Sequence, residues 1–104
     1  MGKPFIITPQ AQRDFDKTYW WYEEQYQGLG KEFARCVDAK IAEIQRNPEQ
    51  FQIIYKNSVR RALVTRFPYS VFFVDKTKVL SIFAIQRQSR NPDLWRSRVE
   101  EPAP

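Results

Sequence analysis

The feature that most constrains the fold is a change of hydrophobic periodicity near the middle of the 104-residue chain. Up to residue 46, apolar residues recur at three- and four-residue steps, which is the period of an amphipathic helix. From residue 59 onward, β-branched and aromatic residues gather in short runs that are typical of strands. The chain therefore predicts an α+β fold, in a single domain that spans residues 1–104.

The first half predicts a strand followed by a helix hairpin. "FIIT", residues 5–8, favours a short strand, and Thr8-Pro9 is a typical helix start. The first helix is expected over residues 10–27, and its apolar stripe is formed by Ala11, Phe15, Tyr19, Tyr22 and Tyr26. Gly28 suits a left-handed residue after a helix end, and Gly30 is expected to let the chain reverse. The second helix should end at "NP", residues 47–48, and its stripe consists of Phe33, Val37, Ile41 and Ile44.

The second half predicts a three-stranded meander over residues 59–67, 70–75 and 79–86, and then a helix within residues 90–101. A two-residue turn at Lys76-Thr77 would put Tyr69 opposite Ala84, on an apolar face that receives the helix hairpin. The opposite face would then carry Ile85 and Arg87, with Trp95 of the last helix covering part of it. The predicted order is β-α-α-β-β-β-α, with the hairpin on one face of a small, twisted and mostly antiparallel sheet. Residues 99–104 are expected to form a disordered tail.

The charge and composition of the chain limit the classes of partner and of chemical site that it can have. The net charge of +5 lies in the second half, because residues 1–50 carry 7 Lys/Arg and 8 Asp/Glu whereas residues 51–104 carry 10 and 4. A localised positive field attracts anionic partners. The chain lacks histidine and has a single cysteine, Cys36, so common zinc sites, His-based catalysis and an intrachain disulfide are excluded. The chain has no apolar run of the about 20 residues that a membrane span requires. We therefore expect a cytoplasmic protein without a membrane segment. We also expect it to need no metal and no cofactor.

Arginines near the ends of the predicted strands are the candidate chemical groups. Guanidinium groups can stabilise the charge that phosphodiester cleavage builds on phosphate oxygens. The candidates for such catalysis are Arg61, Arg66, Arg87, Arg90 and Tyr69. If Pro68-Tyr69 forms the turn, Arg61 shares a face with Arg87; if the loop is one residue longer, Arg60 and Arg66 take that place. The other two arginines of the last helix, Arg96 and Arg98, are expected on its solvated side.

Four segments in this order resemble the toxin superfamily of type II toxin–antitoxin modules that contains RelE-like and ParE-like proteins. They are "GLGKEF" at 28–33, "NP" at 47–48, "VRRALVTRFPYSVFF" at 59–73 and "RNPDLWRSR" at 90–98. The resemblance implies a small toxin that a cognate antitoxin neutralises by wrapping the sheet and the helix hairpin. It also implies one of two targets: ribosome-bound mRNA, which the RelE-like branch cleaves, or DNA gyrase, which the ParE-like branch inhibits.

Two departures favour the ParE-like branch. Ser70 stands where the RelE-like ribonucleases tend to carry arginine, and the tail after Trp95 has neither His nor Tyr. The leading hypothesis is a toxin that arrests growth by binding a protein such as gyrase. The alternatives are a ribosome-dependent mRNA endoribonuclease and a non-toxic binding member of the fold. Residues expected to bind the antitoxin or the target are Trp21, Arg60, Arg61, Phe72, Phe83, Arg87 and Trp95. Of the adjacent tryptophans, Trp20 is expected to be partly covered by the second helix.

Overall fold

A computed structural model describes residues 2–100 of the chain. The helices are α1 (Pro9–Gln25), α2 (Leu29–Arg46) and α3 (Asp93–Glu100), with a 3-10 turn at Pro48–Gln50. The strands are β1 (Phe5–Ile7), β2 (Ile53–Tyr55), β3 (Val59–Leu63), β4 (Tyr69–Asp75) and β5 (Leu80–Arg87). The predicted α+β class and order of elements are confirmed, and β2 is a short additional strand. Helix α3 includes the first two residues of the predicted tail, while residues 101–104 lie outside the described part.

The five strands form one sheet in the order β1-β5-β4-β3-β2. Only the β1–β5 pair is parallel, so the sheet is mostly antiparallel, as predicted. Helices α1 and α2 pack on one face, which we call the hairpin face, and α3 packs on the other, the α3 face. Among residues 2–100, no helix is long and apolar enough to cross a bilayer. The two central strands, β4 and β5, are therefore covered on both sides.

The helix stripes form the core of the hairpin face. The four predicted residues of α2 are all buried, namely Phe33, Val37, Ile41 and Ile44. Helix α1 begins as predicted at Thr8, whose hydroxyl accepts a hydrogen bond from the Ala11 amide at 3.2 Å. The prediction that Tyr26 belongs to the apolar stripe of α1 was wrong, since Tyr26 is 75% exposed. The reason is that α1 ends at Gln25 and the Tyr26 backbone is already extended, so its side chain leaves the stripe.

The turn between the helices depends on two glycines and one carboxylate. Gly28 is in the left-handed conformation with φ of 91°, as predicted. The Glu23 carboxylate accepts hydrogen bonds from the amides of Gly28 (2.8 Å) and Gly30 (2.9 Å), which gives the start of α2 a negative partner. Gly30 lies within the first turn of α2, so it does not reverse the chain. It instead permits close packing, because a Cβ there would lie 2.6 Å from the Tyr19 carbonyl oxygen.

We expect Gly30→Ala to lower the free energy of unfolding by about 1–3 kcal/mol, since the added methyl group forces α1 and α2 apart. Urea denaturation measures this loss. The matched control is Gly28→Asn, because no atom lies within 4 Å of a Cβ at that position and asparagine tolerates the left-handed region. An unfolding midpoint for Gly30→Ala equal to that of the parent chain would contradict the close approach.

The register between β4 and β5 differs from the prediction in two ways. The loop has four residues, 76–79, closed by a hydrogen bond from the Lys76 amide to the Val79 carbonyl at 2.9 Å, so Asp75 pairs with Leu80. The predicted two-residue turn at Lys76-Thr77 was therefore wrong. In addition, Phe72 pairs with Ala84 while Phe73 pairs with Ile82, which leaves Phe83 as an extra residue on β5. This is a β-bulge, and it shifts the alternation of side chains beyond it by one residue.

The bulge exchanges the faces at the end of β5. Ala84 packs on the α3 face and Ile85 in the core of the hairpin face, the reverse of the prediction. Arg87 follows Ile85 by two residues and pairs with Tyr69, whose ring belongs to the same core. Arg87 therefore lies on the hairpin face rather than on the opposite face, where the unbulged register would have placed it.

Helix α3 covers the opposite face, as predicted. The Trp95 ring stacks on the Phe72 ring with centroids 4.9 Å apart, and Phe83 packs in the same cluster. Val99 packs against this cluster from the next turn of the helix, whereas Leu94 is 44% exposed. The apolar residues of the α3 face thus form a second core.

A charged pair fastens α3 to the rest of the molecule. Arg98 donates two hydrogen bonds to Asp14 of α1, from Nη1 at 2.7 Å and from Nη2 at 3.1 Å. Arg98 Nη1 also donates to the Phe83 carbonyl (3.0 Å), and the Ile85 amide donates to Asp14 Oδ2 (3.0 Å). Both backbone groups lie just past Ile82, where β1 stops pairing with β5. The pair therefore provides hydrogen-bond partners for two backbone groups at the open edge of β5. The prediction that Arg98 is solvated was wrong, since its side chain is only 18% exposed.

Candidate functional site

A cationic pocket lies between α1 and the adjoining ends of β4 and β5. Its volume is about 280 Å³, and its lining residues are Lys17, Thr18, Trp21, Tyr69, Arg87 and Arg90. Three of these six side chains are basic and none is acidic. Lys17 and Trp21 face the same space because residues four apart are neighbours on a helix surface. Tyr69 and Arg87 meet because they are directly paired across the two strands.

Local contacts hold the arginines of this pocket in place. The guanidinium carbon of Arg87 lies 5.7 Å from the centre of the Tyr69 ring, a cation–π contact. The loop after β5 folds back, with the Gln88 amide donating to the Pro68 carbonyl at 2.9 Å and the Arg90 amide donating to the Arg87 carbonyl at 3.1 Å. This turn brings Arg90 to the same pocket. Both side chains remain exposed at the surface and can reach a ligand.

The pocket is backed by buried aromatic rings. Tyr22 contacts Trp21 with ring centroids 5.0 Å apart and Tyr69 with centroids 6.1 Å apart. Burial raises the pKa of the Tyr22 hydroxyl, nearby Tyr69 raises it further, and the positive charge of Arg87 opposes both. The Tyr22 hydroxyl is therefore neutral at physiological pH, and the wall behind the three cations is a region of low polarity.

The raised pKa of Tyr22 predicts a loss of stability at alkaline pH. A tyrosine whose pKa is higher in the folded state than its ordinary value near 10 favours folding while it is protonated, and this contribution is lost as the pH rises from about 10 through the folded pKa. We expect the free energy of unfolding to fall more steeply above about pH 10 in the parent chain than in Tyr22→Phe. Urea denaturation at several pH values measures both slopes. Identical slopes would show that Tyr22 does not contribute.

Two adjacent tryptophans of α1 are exposed, and one of them, Trp21, lines the pocket. Trp20 is 60% exposed and Trp21 is 50% exposed. They lie three and four residues after Lys17 and therefore stand on either side of it on the surface of α1. The expected partial cover of Trp20 by α2 was wrong, since Trp20 is the more exposed of the two. Trp21 as a contact residue stays a prediction, which fits the enrichment of tryptophan among binding hot spots.

The remaining candidate arginines lie elsewhere. Arg60 pairs with Phe73 and Arg61 with Phe72, so Arg60 is the β3 arginine that shares the hairpin face with Arg87. Arg60 nevertheless stands far from the pocket along the strand, and it donates to the Phe51 carbonyl at 2.6 Å. Arg61 is on the α3 face. Arg66 lies in the turn after β3, where it forms an ion pair with Glu32 at 3.3 Å. Of the four arginines proposed for phosphate chemistry, Arg87 and Arg90 therefore share one pocket, whereas Arg61 and Arg66 lie outside it.

Three predicted contact residues are buried where α3 packs on the sheet. Phe72, Phe83 and Trp95 are 3%, 7% and 6% exposed, respectively, so a partner could reach their rings only if α3 moved away. In contrast, Lys17 and Thr18 line the pocket although we did not predict them as site residues. The signal for Lys17 was its position four residues before Trp21. In the described range, 2–100, no group of three or more cysteine, aspartate or glutamate side chains is arranged to hold a metal ion.

Comparison with known proteins assigns the fold to a family. The model of the "ParE toxin of type II toxin-antitoxin system, parDE" family matches residues 5–92. The chain belongs to the ParE toxin family. The matched range runs from β1 to the residue before α3 and contains every residue that lines the cationic pocket. Membership also confirms the resemblance to the RelE/ParE superfamily and its ParE-like branch, and it makes this chain a type II toxin by descent.

A solved structure supports the ParE fold. The structure titled "Chromosomal ParDE TA system from P. aeruginosa" is 22% identical to this chain, with a TM-score of 0.73. The likeness covers 82% of this chain and 95% of that chain. No curated protein matched the sequence. The structural likeness shows that the ParE fold is shared, and the family match supplies the assignment.

Proposed function

We propose that this ParE-family chain arrests growth by binding a protein target such as DNA gyrase, and that a cognate antitoxin neutralises it. The observation that carries the proposal is the cationic pocket with the exposed Trp21 in its lining, a surface suited to contact rather than to proton transfer. Family membership and the likeness to a ParDE system support the antitoxin as a partner. The resemblance to the ParE-like branch supports gyrase as the target.

The same pocket argues against the ribonuclease alternative. Cleavage of RNA needs a group that accepts the proton of the attacking 2′-hydroxyl, with a pKa near the working pH. The pocket lining contains no carboxylate, and the chain has no histidine. Burial raises the pKa of the nearby Tyr22, so its hydroxyl stays protonated at physiological pH and cannot accept that proton. Ser70, at the position where the RelE-like branch tends to carry arginine, is fully buried.

Inducible expression in bacteria tests the proposal. We expect growth arrest together with impaired plasmid supercoiling by gyrase and intact ribosome-associated mRNA. Cleaved codons with normal supercoiling would replace the proposal with the ribonuclease alternative. Absence of arrest would identify the chain as a non-toxic binding member of the fold.

We expect Arg87→Ala to weaken growth arrest while the fold stays intact, because the exposed guanidinium of Arg87 contributes to the pocket rather than to a core. The control is Arg35→Ala, which removes an equal charge from α2, where Arg35 is 73% exposed and outside the pocket. Circular dichroism checks that both variants fold. Equal toxicity of Arg87→Ala and the parent chain would remove Arg87 from the functional surface.

A further inference from the structure

We propose that the pocket formed by Lys17, Arg87 and Arg90 binds a side-chain carboxylate from an acidic peptide segment, whose neighbouring apolar side chain lies on Trp21. The ligand class is therefore a peptide in which aspartate or glutamate stands beside a large apolar residue. Binding of this kind does not require the chain to be toxic.

The charge balance of the molecule points to this site. Within residues 2–100, five basic side chains have carboxylate partners: Arg98 with Asp14, Arg66 and Arg35 with Glu32, Lys40 with Glu43, and Lys3 with Asp75. Lys17, Arg87 and Arg90 converge on one cavity without an ion pair to any carboxylate of the described residues. Converging like charges repel one another, and a bound anion relieves that repulsion. The pocket thus carries an excess of positive charge that an anionic ligand would balance.

The pocket is also prepared for an oxyanion. Arg87 is oriented by the Tyr69 ring beneath it, so less side-chain freedom is lost when a ligand binds. Guanidinium groups bind carboxylates through two parallel hydrogen bonds. The ammonium group of Lys17 adds a third positive charge beside those of Arg87 and Arg90. The rings of Tyr22 and Tyr69, with centroids 6.1 Å apart, lie behind these charges.

A peptide fits the surroundings better than a nucleic acid strand. A strand is held by a row of cations that follows its phosphates, often with stacking platforms along a groove. Here the arginines outside the pocket do not continue such a row, since Arg66 pairs with Glu32 and Arg60 donates to backbone carbonyls. Beside the cations the pocket is instead lined by an apolar side chain, the 50% exposed Trp21. One anion next to an apolar surface matches an acidic side chain with an apolar neighbour.

Isothermal titration calorimetry on the full chain tests the inference with a short blocked peptide of alternating glutamate and leucine. We expect saturable binding that weakens as salt is added. Arg87→Ala should lower the affinity about tenfold, and the same peptide with glutamine in place of glutamate should bind about tenfold more weakly to the parent chain. Arg35→Ala, the charge-matched control outside the pocket, should bind like the parent. Quenching of tryptophan fluorescence that disappears in Trp21→Phe would place the peptide at this pocket.

Three results would overturn the inference. Equal weakening by Arg87→Ala and Arg35→Ala would mean general attraction to a basic protein. Tighter binding of a short oligothymidylate than of the peptide, lost in Arg87→Ala, would make the pocket a nucleic acid site. Absence of peptide binding to a folded parent chain would leave the pocket without this ligand. Because the growth assay is separate, peptide binding without growth arrest would contradict the proposed toxicity alone, and arrest without peptide binding would contradict the carboxylate site alone.

Discussion

Replacing Phe33 with alanine is expected to lower the free energy of unfolding by about 3–5 kcal/mol. Phe33 is fully buried at the centre of the hairpin core. Its ring lies within 5.3 to 5.6 Å, centroid to centroid, of four other aromatic rings, those of Phe15, Tyr22, Phe67 and Tyr69. Truncation leaves a cavity that these large rings, which belong to three different parts of the chain, cannot fill without leaving their own contacts.

Urea denaturation measures the Phe33→Ala effect, and Phe5→Ala serves as the control. Phe5 lies on the edge strand β1 and is 38% exposed, so the same chemical change removes less buried surface there and should cost clearly less. Phe33→Ala should also weaken ligand binding at the pocket, because Tyr22 and Tyr69 back the pocket and contact Phe33. A loss for Phe33→Ala no larger than that for Phe5→Ala would contradict a central role in the core.

Replacing Arg98 with alanine is expected to lower the free energy of unfolding by about 2–4 kcal/mol. The substitution leaves the Asp14 carboxylate, 16% exposed, without its charged partner, and it leaves the Phe83 carbonyl at the open edge of β5 without its donor. It also removes the only described ion pair that joins α3 to α1.

A double-mutant cycle with Asp14→Ala separates the pair from its surroundings. We expect a coupling between the two substitutions of at least about 1 kcal/mol, because the two side chains share two hydrogen bonds. Arg35→Ala is the control for an exposed pair and should change stability by less than about 0.5 kcal/mol. Additive effects of Asp14→Ala and Arg98→Ala would mean that the pair does not hold α3 in place.

The helix hairpin could be predicted because each of its helices has one buried side. All four apolar positions of the second stripe proved buried, since only one face of α2 meets the core and its hydrophobic period is therefore clear. Tyr26 was misplaced because the pattern alone does not show where the last turn of α1 ends.

The register of the sheet could not be predicted for the opposite reason. β4 and β5 are covered on both faces, so every residue from Tyr69 to Phe73 and from Leu80 to Gln86 is buried. The alternation of apolar and polar residues that normally fixes a register is absent from such strands. The bulge at Phe83 and the four-residue loop therefore left no trace in the hydrophobic pattern.

The site was predicted in part. Trp21, Tyr69, Arg87 and Arg90 were all named from the sequence, but not as members of one pocket, because their meeting depends on the register. The choice between Arg60 and Arg61 was open for the same reason. Lys17 was missed because a single lysine on a helix is ordinarily solvated, and its spacing from Trp21 does not by itself show that the two side chains line a pocket.

The extra residue in β5 has a consequence for comparing members of this family. A strand of the same sequence that paired with β4 without the bulge would point the side chain of Arg87 to the reverse side of the sheet, under α3 instead of beside α1. Two homologues that align without a gap at this arginine could thus present it to different partners. Arginines of two family members are equivalent when they lie on the same face of the sheet, and an alignment of the sequences alone does not show this.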